Sequence, residues 1–493
     1  MKQILHFLRA GAGCLLLGAA SLLAQTQAAA PPQPALPPPL VLTGGTVIDV
    51  TAWGTSANDL KNAVVIIQGG RITAVGPAGS LTIPKDAEVI DCTGKYLIPG
   101  LIDGYAGMNS QGQANANLYR GVTTVVVRQD ARRGHIDFSA NPSPHLYPID
   151  SVGTTDNWSL LANRPEWASI LKEGAHPAEL DPSTTARQLI ATQKLGTRVV
   201  YLGHDITAAN AQWIIARAHS LGLVTYGEFV ATPYRVGITS GVDALLHMGR
   251  YELGVIPDEL QEPLVTDPEG SAAHSAYDYS ERLPPTDPHW TEYAHFIASH
   301  HVALLPTFSL YYVQLPGHRN LWKDPAAKLL NPANMYHPSN PDTGELTYPI
   351  PSWAHRLPGF LQRSMEQDQQ KKADRAAMRL WRINQTIFSV FPHYLAGSGA
   401  NSMGSMSGIS MDTELEMLVR LGLSPREALA AATNNYSLQF GWHELGQIAP
   451  GRRADILVLN ADPTVNIWNA RRIYMLIFDG NVMDREALLN LKK

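Results

Sequence analysis

The chain has 493 residues, 38 of them basic and 43 acidic, for a formal net charge of -5. So mild an imbalance excludes the basic footprint expected of a nucleic-acid or membrane-surface binder. With 45% hydrophobic residues the chain can bury a sizeable core, and its length suits one large barrel with a smaller domain attached.

Residues 1–30 read as a secretory signal peptide. Lys2 and Arg9 supply the positive start, residues 10–24 form an apolar run too short to span a bilayer comfortably, and Thr26-Gln27-Ala28 or Ala28-Ala29-Ala30 offers a small-residue cleavage site. Cys14 has no leucine three residues before it, which argues against lipidation. Cleavage leaves Cys92 as the sole cysteine, so no internal disulfide is expected and Cys92 reads as a small buried hydrophobe. No later stretch is long and apolar enough for a membrane span. The expected location is periplasmic or secreted.

Residues 31–40 (PPQPALPPPL) form a stiff, extended linker. Short β-type segments follow: 41–50 with a bend at Gly44-Gly45, a hairpin of 63–68 and 71–75 around Gly69-Gly70, then 88–91 and 95–98. The same patterning returns at 454–459 and 473–478. Residues 41–98 and 447–493 are therefore expected to form one small composite β-sandwich domain from both chain ends.

Between them, from 99 to 446, strands alternate with helices. The apolar stretch after Pro99-Gly100, then 121–127, 198–202, 224–229, 244–248, 302–308 and 394–399 read as buried strands. Helices are expected at 208–221, closed by Gly222, at 361–391, and at 425–434, which starts on a proline. This alternation predicts the α/β class and a (β/α)8 TIM-like barrel. Two long connections, 251–288 and 309–357, follow the sixth and seventh strands, and are expected to cover the face where the strands end.

Ile98-Pro99-Gly100-Leu101-Ile102-Asp103 resembles the entry to the catalytic barrel of the amidohydrolase superfamily. Gly69-Gly70-Arg71-Ile72, Gly121-Val122-Thr123-Thr124, Gly422-Leu423-Ser424-Pro425, Ala432-Thr433-Asn434 and Gly446-Gln447-Ile448-Ala449-Pro450-Gly451 extend the likeness over nearly all of the mature chain. They point to the imidazolonepropionase/prolidase-like branch. The resemblance implies hydrolysis of C–N bonds in cyclic amides or dipeptides. It also implies one or two divalent ions, zinc or another metal, that lower the pKa of a bound water. The family's ligands come from strand ends: two histidines on the first, often a carbamylated lysine on the fourth, a histidine on each of the fifth and sixth, and an aspartate on the eighth.

Here those places fall on Tyr105, Gly107, Tyr201, Glu228, His247 and Gly399. His247 alone is as the family has it, and Glu228 is a replacement donor. A catalytic zinc takes three protein ligands. The chain therefore reads as a divergent member with its metal centre largely erased and no cofactor expected. Tyr105, Gly107, Tyr201 and Gly399 would form a pocket at the former ligand positions.

His247 and Glu228 are the catalytic candidates, as an acid/base couple, although a lone histidine is more often hydrogen-bonded packing. His204 and Asp205, just past the fourth strand, are candidate replacement ligands. Arg132-Arg133 reads as a solvated pair or an anion contact. Residues 401–408 read as a flexible Ser/Gly loop that does not match the Gly-x-Ser-x-Gly nucleophile pattern. The favoured reading is an exported, metal-free binding protein or an inactive partner of a paralogous amidohydrolase subunit, with an unknown small molecule as ligand. The alternative is an active hydrolase rebuilt around His247 and Glu228. No nucleic-acid partner is expected, and the sequence leaves self-association open.

Overall fold

The computed structural model describes residues 37–128, 141–151, 182–203, 206–230, 232–257, 259–260, 278–346, 348, 352–390 and 393–491. The expected signal peptide, Arg132, Arg133, His204, Asp205 and residues 261–277 lie outside the described residues.

The first sheet begins with β1 (Leu40–Val47), β2 (Leu60–Gln68), β3 (Arg71–Pro77), β4 (Glu88–Asp91) and β5 (Tyr96–Pro99). The β2–β3 hairpin turns on Gly69 (φ 58°) and Gly70 (φ 76°), both in the left-handed region that side chains resist. β1 carries a bulge at Gly45, where an added Cβ would fall 2.3 Å from Leu97.

The barrel strands come next: β6 (Leu101–Gly107), β7 (Val122–Arg128), β8 (His145–Ser151), β9 (Val199–Leu202), β10 (Val224–Gly227), β11 (Ala244–Leu246) and β12 (Ala303–Leu305). The chain then returns to the first sheet through β13 (Ile456–Leu459), β14 (Ile473–Phe478) and β15 (Asn481–Met483). That sheet runs β15-β14-β13-β5-β1-β2-β3, with β4 beside β1. It is one continuous sheet drawn from both ends of the chain, stitched where β13 pairs antiparallel with β5. Period-two alternation gives β13 two buried faces. Ile456 and Val458 join the cluster of Leu42, Val65 and Leu97, while Leu457 and Leu459 join the large core that holds the barrel helices.

β6 to β12 form a parallel sheet in sequential order. The segment 393–400 bonds to both of its edges. On one side Leu304 N donates to His393 O and Leu395 N to Leu304 O; on the other Gly104 N donates to Ala396 O and Gly399 N to Tyr105 O. These bonds close the ring. Ile102, Val126, Ile149, Tyr226, Leu246 and Leu305 fill its interior, and Leu101, Val125, Val200, Leu245 and Leu304 face the helices.

The structure departs from the sequence expectations at several points. β8 was not anticipated, because HLYPIDS interrupts its pattern with a proline and three polar residues. The helix expected over 425–434 stops at Ala431, and a separate helix runs Asn434–Phe440. The barrel takes the carbonyls at that break: Ala396 N donates to Ala431 O and Ile102 N to Ala432 O. The charged helix spans Gly359–Phe388 rather than 361–391. Residues 401–408 are packed rather than flexible: Ser405 and Ser407 are fully buried, and Asn401 Nδ2 donates to Gly107 O at 2.5 Å. Polar groups at a strand tip need partners once buried, and this loop supplies them. From the seventh-strand connection, Leu310 packs against Gly399 and Tyr336 bridges to Ser402, so that part lies against the same rim.

Two buried carboxyls sit beneath that rim. Asp103 accepts from Ser398 N at 2.8 Å and Ser398 Oγ at 2.5 Å, yet burial pushes it up to about 6. Glu414 accepts from Ser309 N and Oγ, both at 2.7 Å, and burial pushes it up to about 8. A carboxyl with a raised folded-state pKa binds its proton more tightly folded than unfolded. Its contribution to stability is present below the unfolded pKa and is lost as pH rises through the folded one. Tm should therefore fall between about pH 5 and pH 8. Glu414→Gln, which keeps the shape without the titration, should flatten that fall; thermal melts across the window with an unchanged slope would refute the assignment.

Candidate functional site

In a parallel barrel all strands point their C-terminal ends at one rim, and side chains just past those ends share a mouth. Here Tyr105 comes from β6, Arg128 ends β7, Tyr201 lies in β9, Glu228 follows β10, His247 follows β11 and Thr307 follows β12. Glu228 is 6% exposed and stands at the centre. Its Oε2 accepts from the Tyr201 hydroxyl at 2.5 Å, and its Oε1 accepts from Arg250 Nε at 3.2 Å. His247 Nε2 lies 3.5 Å from Oε2.

The aromatic wall continues from there. The Tyr105 ring meets His247 edge-on at 5.0 Å between centroids. Arg128 Nη1 donates to the Tyr105 hydroxyl at 2.5 Å, and its guanidinium lies 4.9 Å from the centre of the Tyr201 ring. Burial first, then the neighbouring Glu228 charge, hold the Tyr201 hydroxyl well above its ordinary pKa, so it remains a donor. His247 Nδ1 is 2.6 Å from Thr307 Oγ1.

The structure thus brings Tyr105, Tyr201, Glu228 and His247 into one constellation. Gly107 and Gly399 serve the backbone. Gly107 N donates to Ala400 O, and Gly399 has φ 59° with room for no Cβ, which would fall 2.7 Å from Leu310. His204 and Asp205, the candidate replacement ligands, are outside the described residues. Sequence reading missed Arg128, Arg250 and Thr307. Arg128 stands one residue beyond the apolar run 121–127, and Thr307 falls inside the strand expected at 302–308. Arg128 is the last residue of β7, Thr307 lies two residues past β12 and Arg250 four past β11, so a cation or hydroxyl at a strand's end or within a turn of it is the signal that would have found them.

Among the described residues, one set of three His, Cys, Asp or Glu side chains is close enough to hold a metal ion, and it lies at the opposite end of the barrel. His145 begins β8. Its Nε2 is 3.2 Å from Asp455 Oδ2 and 3.3 Å from Asp479 Oδ1. Burial lowers the His145 pKa, but the two carboxylates outweigh it and the net shift is upward. Arg453 Nε is 3.9 Å from Asp455 Oδ2. The set could take a divalent cation; as it stands it is an ion-pair cluster joining the barrel base to the first sheet.

Comparison with known proteins agrees with this architecture. Residues 392–483 match the model of the Amidohydrolase family. Over 125 residues the chain is 28% identical to an imidazolonepropionase of Rhizobium rhizogenes, covering 25% of this chain and 29% of that protein. Over 75 residues it is 37% identical to an adenine deaminase of Rubrobacter xylanophilus, covering 15% of this chain and 12% of that protein. The alignments therefore span less than a third of these relatives' lengths. Among solved structures, a molinate hydrolase superposes with a TM-score of 0.57 at 15% identity, covering 91% of this chain and 95% of that one. A Xaa-Pro dipeptidase with methionine bound in its active site superposes with a TM-score of 0.54 at 14% identity, covering 90% and 100%. Over residues 392–483 the chain is thus similar to the Amidohydrolase family, and over most of its length it shares the α/β barrel fold of the solved structures named above.

Proposed function

We propose that the barrel mouth is a metal-independent binding site for a small molecule, in a chain that serves as a binding protein or as the inactive partner of a related amidohydrolase subunit. The observation that carries this reading is the engagement of Glu228. Both of its oxygens already accept from Tyr201 and Arg250, at the rim position where a metal would draw on the carboxylate. Tyr105 and Tyr201 are phenols that stay protonated near neutrality, and Gly107 and Gly399 offer no donor side chain. That leaves His247 and Glu228 among the described strand tips, short of the three ligands of a catalytic zinc. The signal-like residues 1–30 support export to the periplasm or beyond. The first sheet, drawn from both chain ends, is read as a small domain flanking the barrel.

A second reading, a rebuilt hydrolase of C–N bonds, is favoured by one observation. His247 Nε2 and Glu228 Oε2 are 3.5 Å apart with the Tyr201 hydroxyl on the same oxygen, a proton-transfer set. Its substrates would belong to the amides and dipeptides implied by the names of the similar proteins.

Elemental analysis of the purified mature protein should find no stoichiometric zinc or manganese, and a chelator should leave Tm unchanged. One metal per chain, lost together with a hydrolytic activity in His247→Ala, would overturn the binding-protein reading. Gly399→Asp, which restores the family's residue, should not create a metal site. It should destabilise the fold by about 2 kcal/mol or more, because it adds left-handed strain to overlap with Leu310; a stable, zinc-loaded variant would refute the packing argument. Tyr201→Phe removes a donor from a buried carboxylate and should cost about 1–3 kcal/mol in urea melts. A neutral outcome would show that Glu228 does not depend on that bond.

A further inference from the structure

The long helix Gly359–Phe388 packs against the turn Tyr312–Gln314 in the connection after β12. Between them lies a cavity of about 670 Å³, a size that suits a small-molecule site. None of the mouth residues described above lines it.

One wall is shaped by the backbone. Gly317, at φ 81°, turns the chain back after Pro316, and Arg319 N donates to the Tyr312 hydroxyl at 3.2 Å. Gln314 and His318 both line the cavity from this turn. Gln314 is 6% exposed, yet its amide Nε2 has no hydrogen-bond partner, and neither has the buried Nδ1 of His318. On the helix side, Arg379 keeps Nη1 on Glu252 Oε2 at 3.1 Å, while its buried Nε is also without a partner. A buried polar atom left unsatisfied costs about 1–3 kcal/mol. Three such atoms in residues around one cavity call for a polar occupant.

The other wall is a stripe of the helix. Gln370, Asp374, Met378 and Arg382 recur every four residues and so share one side. Gln370 Nε2 donates to Asp374 Oδ1 at 3.2 Å. Burial raises the Asp374 pKa, and the nearby Glu345 adds to the rise. Neither carboxylate forms an ion pair with a described lysine or arginine, and neither Arg375 nor Arg382 forms one with a described carboxylate. The charges of this wall are thus not spent on each other. Asp374 and Arg382 are about 12 Å apart along the helix axis, with Met378 between them, and Val313 and Leu315 add apolar surface. An extended peptide covers about 12 Å with about three or four residues.

We propose that this cavity is a second binding site, for a short peptide of about three or four residues with free termini. Its ammonium meets Asp374 and Glu345, its carboxylate meets Arg382, and a backbone carbonyl accepts from Gln314 Nε2. The long connection after β12 then has a recognition role of its own, separate from whatever the mouth holds.

The test is isothermal titration calorimetry of the full-length mature protein with trialanine and tetraalanine at neutral pH. Both should bind, and N-acetylation or C-amidation should weaken binding by about tenfold, the loss of one charge-assisted contact. Asp374→Asn should weaken the free peptide but not the acetylated one, and Arg382→Gln should weaken the free peptide but not the amidated one, since a contact is lost only once. Gln314→Leu should weaken binding without lowering Tm, because the donor it removes has no partner in the unliganded chain. Binding should persist in His247→Gln, which alters the mouth alone. No binding by either peptide, equal affinity for a peptide blocked at both ends, or loss in His247→Gln with wild-type affinity in Asp374→Asn would overturn the proposal.

Discussion

Burying a carboxylate at the rim of a barrel requires donors fixed around it, since removing one partner from a buried charge pair costs several kcal/mol. Glu228 meets that requirement with the Tyr201 hydroxyl from β9 and the Arg250 guanidinium from beyond β11. The contacts pass onward. Arg128 of β7 lies over Tyr201 and donates to Tyr105 of β6, whose ring meets His247; His247 in turn bonds Thr307 beyond β12. One connected set of side chains thus ties together the tips of most of the barrel strands. Substitutions within it will be non-additive, because each residue shares a partner with the next.

The side of the mouth at 393–400 is built differently. There the backbone does the work: the segment bonds to both neighbouring strands, and its glycines let them approach. A Cβ on Gly397 would fall 2.6 Å from Leu305, and one on Gly399 would collide with Leu310. The polar group of that segment, Ser398, faces inward to Asp103, the acid at the tip of the entry motif. In this chain that acid holds the first and last strands of the ring together, with burial pushing its pKa up to about 6. A side chain at either glycine would require Leu305 or Leu310 to shift.

Much of this was legible in the sequence where a residue's role is periodic or conformational. The glycine hairpin at Gly69-Gly70, the apolar runs behind β7, β9 and β10, and the proline-initiated helix at Pro425 follow from local rules that the tertiary structure does not override. β8 was hidden because its proline and polar residues break the pattern of a buried strand, and the end of the helix at Ala431 was hidden because barrel strands far away in sequence claim its carbonyls. At the site, Tyr105, Tyr201, Glu228 and His247 could be named from the ligand places that the family resemblance implies at the strand ends. Their mutual engagement could not, since the 2.5 Å bond between Tyr201 and Glu228 and the link from His247 to Thr307 depend on side-chain directions that only the closed ring sets. The His145, Asp455 and Asp479 cluster had no sequence signal at all, because its members come from three remote segments.

The cations at this mouth also limit its chemistry. A divalent ion lowers the pKa of a bound water toward neutrality by direct coordination. A guanidinium cannot do that; it is a fixed, planar hydrogen-bond donor that stays charged and keeps its orientation. Arg250 on Glu228 and Arg128 over Tyr201 therefore stabilise negative charge without generating hydroxide. In the metal-independent reading, bond cleavage here would need a nucleophile activated by a side chain, and the described imidazole nearest Glu228 is that of His247, 12% exposed with Nδ1 2.6 Å from Thr307 Oγ1. Binding makes no such demand. Among the described residues, the two phenols, one imidazole, one engaged carboxylate and two guanidiniums of the mouth offer directional polar contacts on an aromatic surface, which is sufficient to recognise a small polar molecule whether or not a proton then moves.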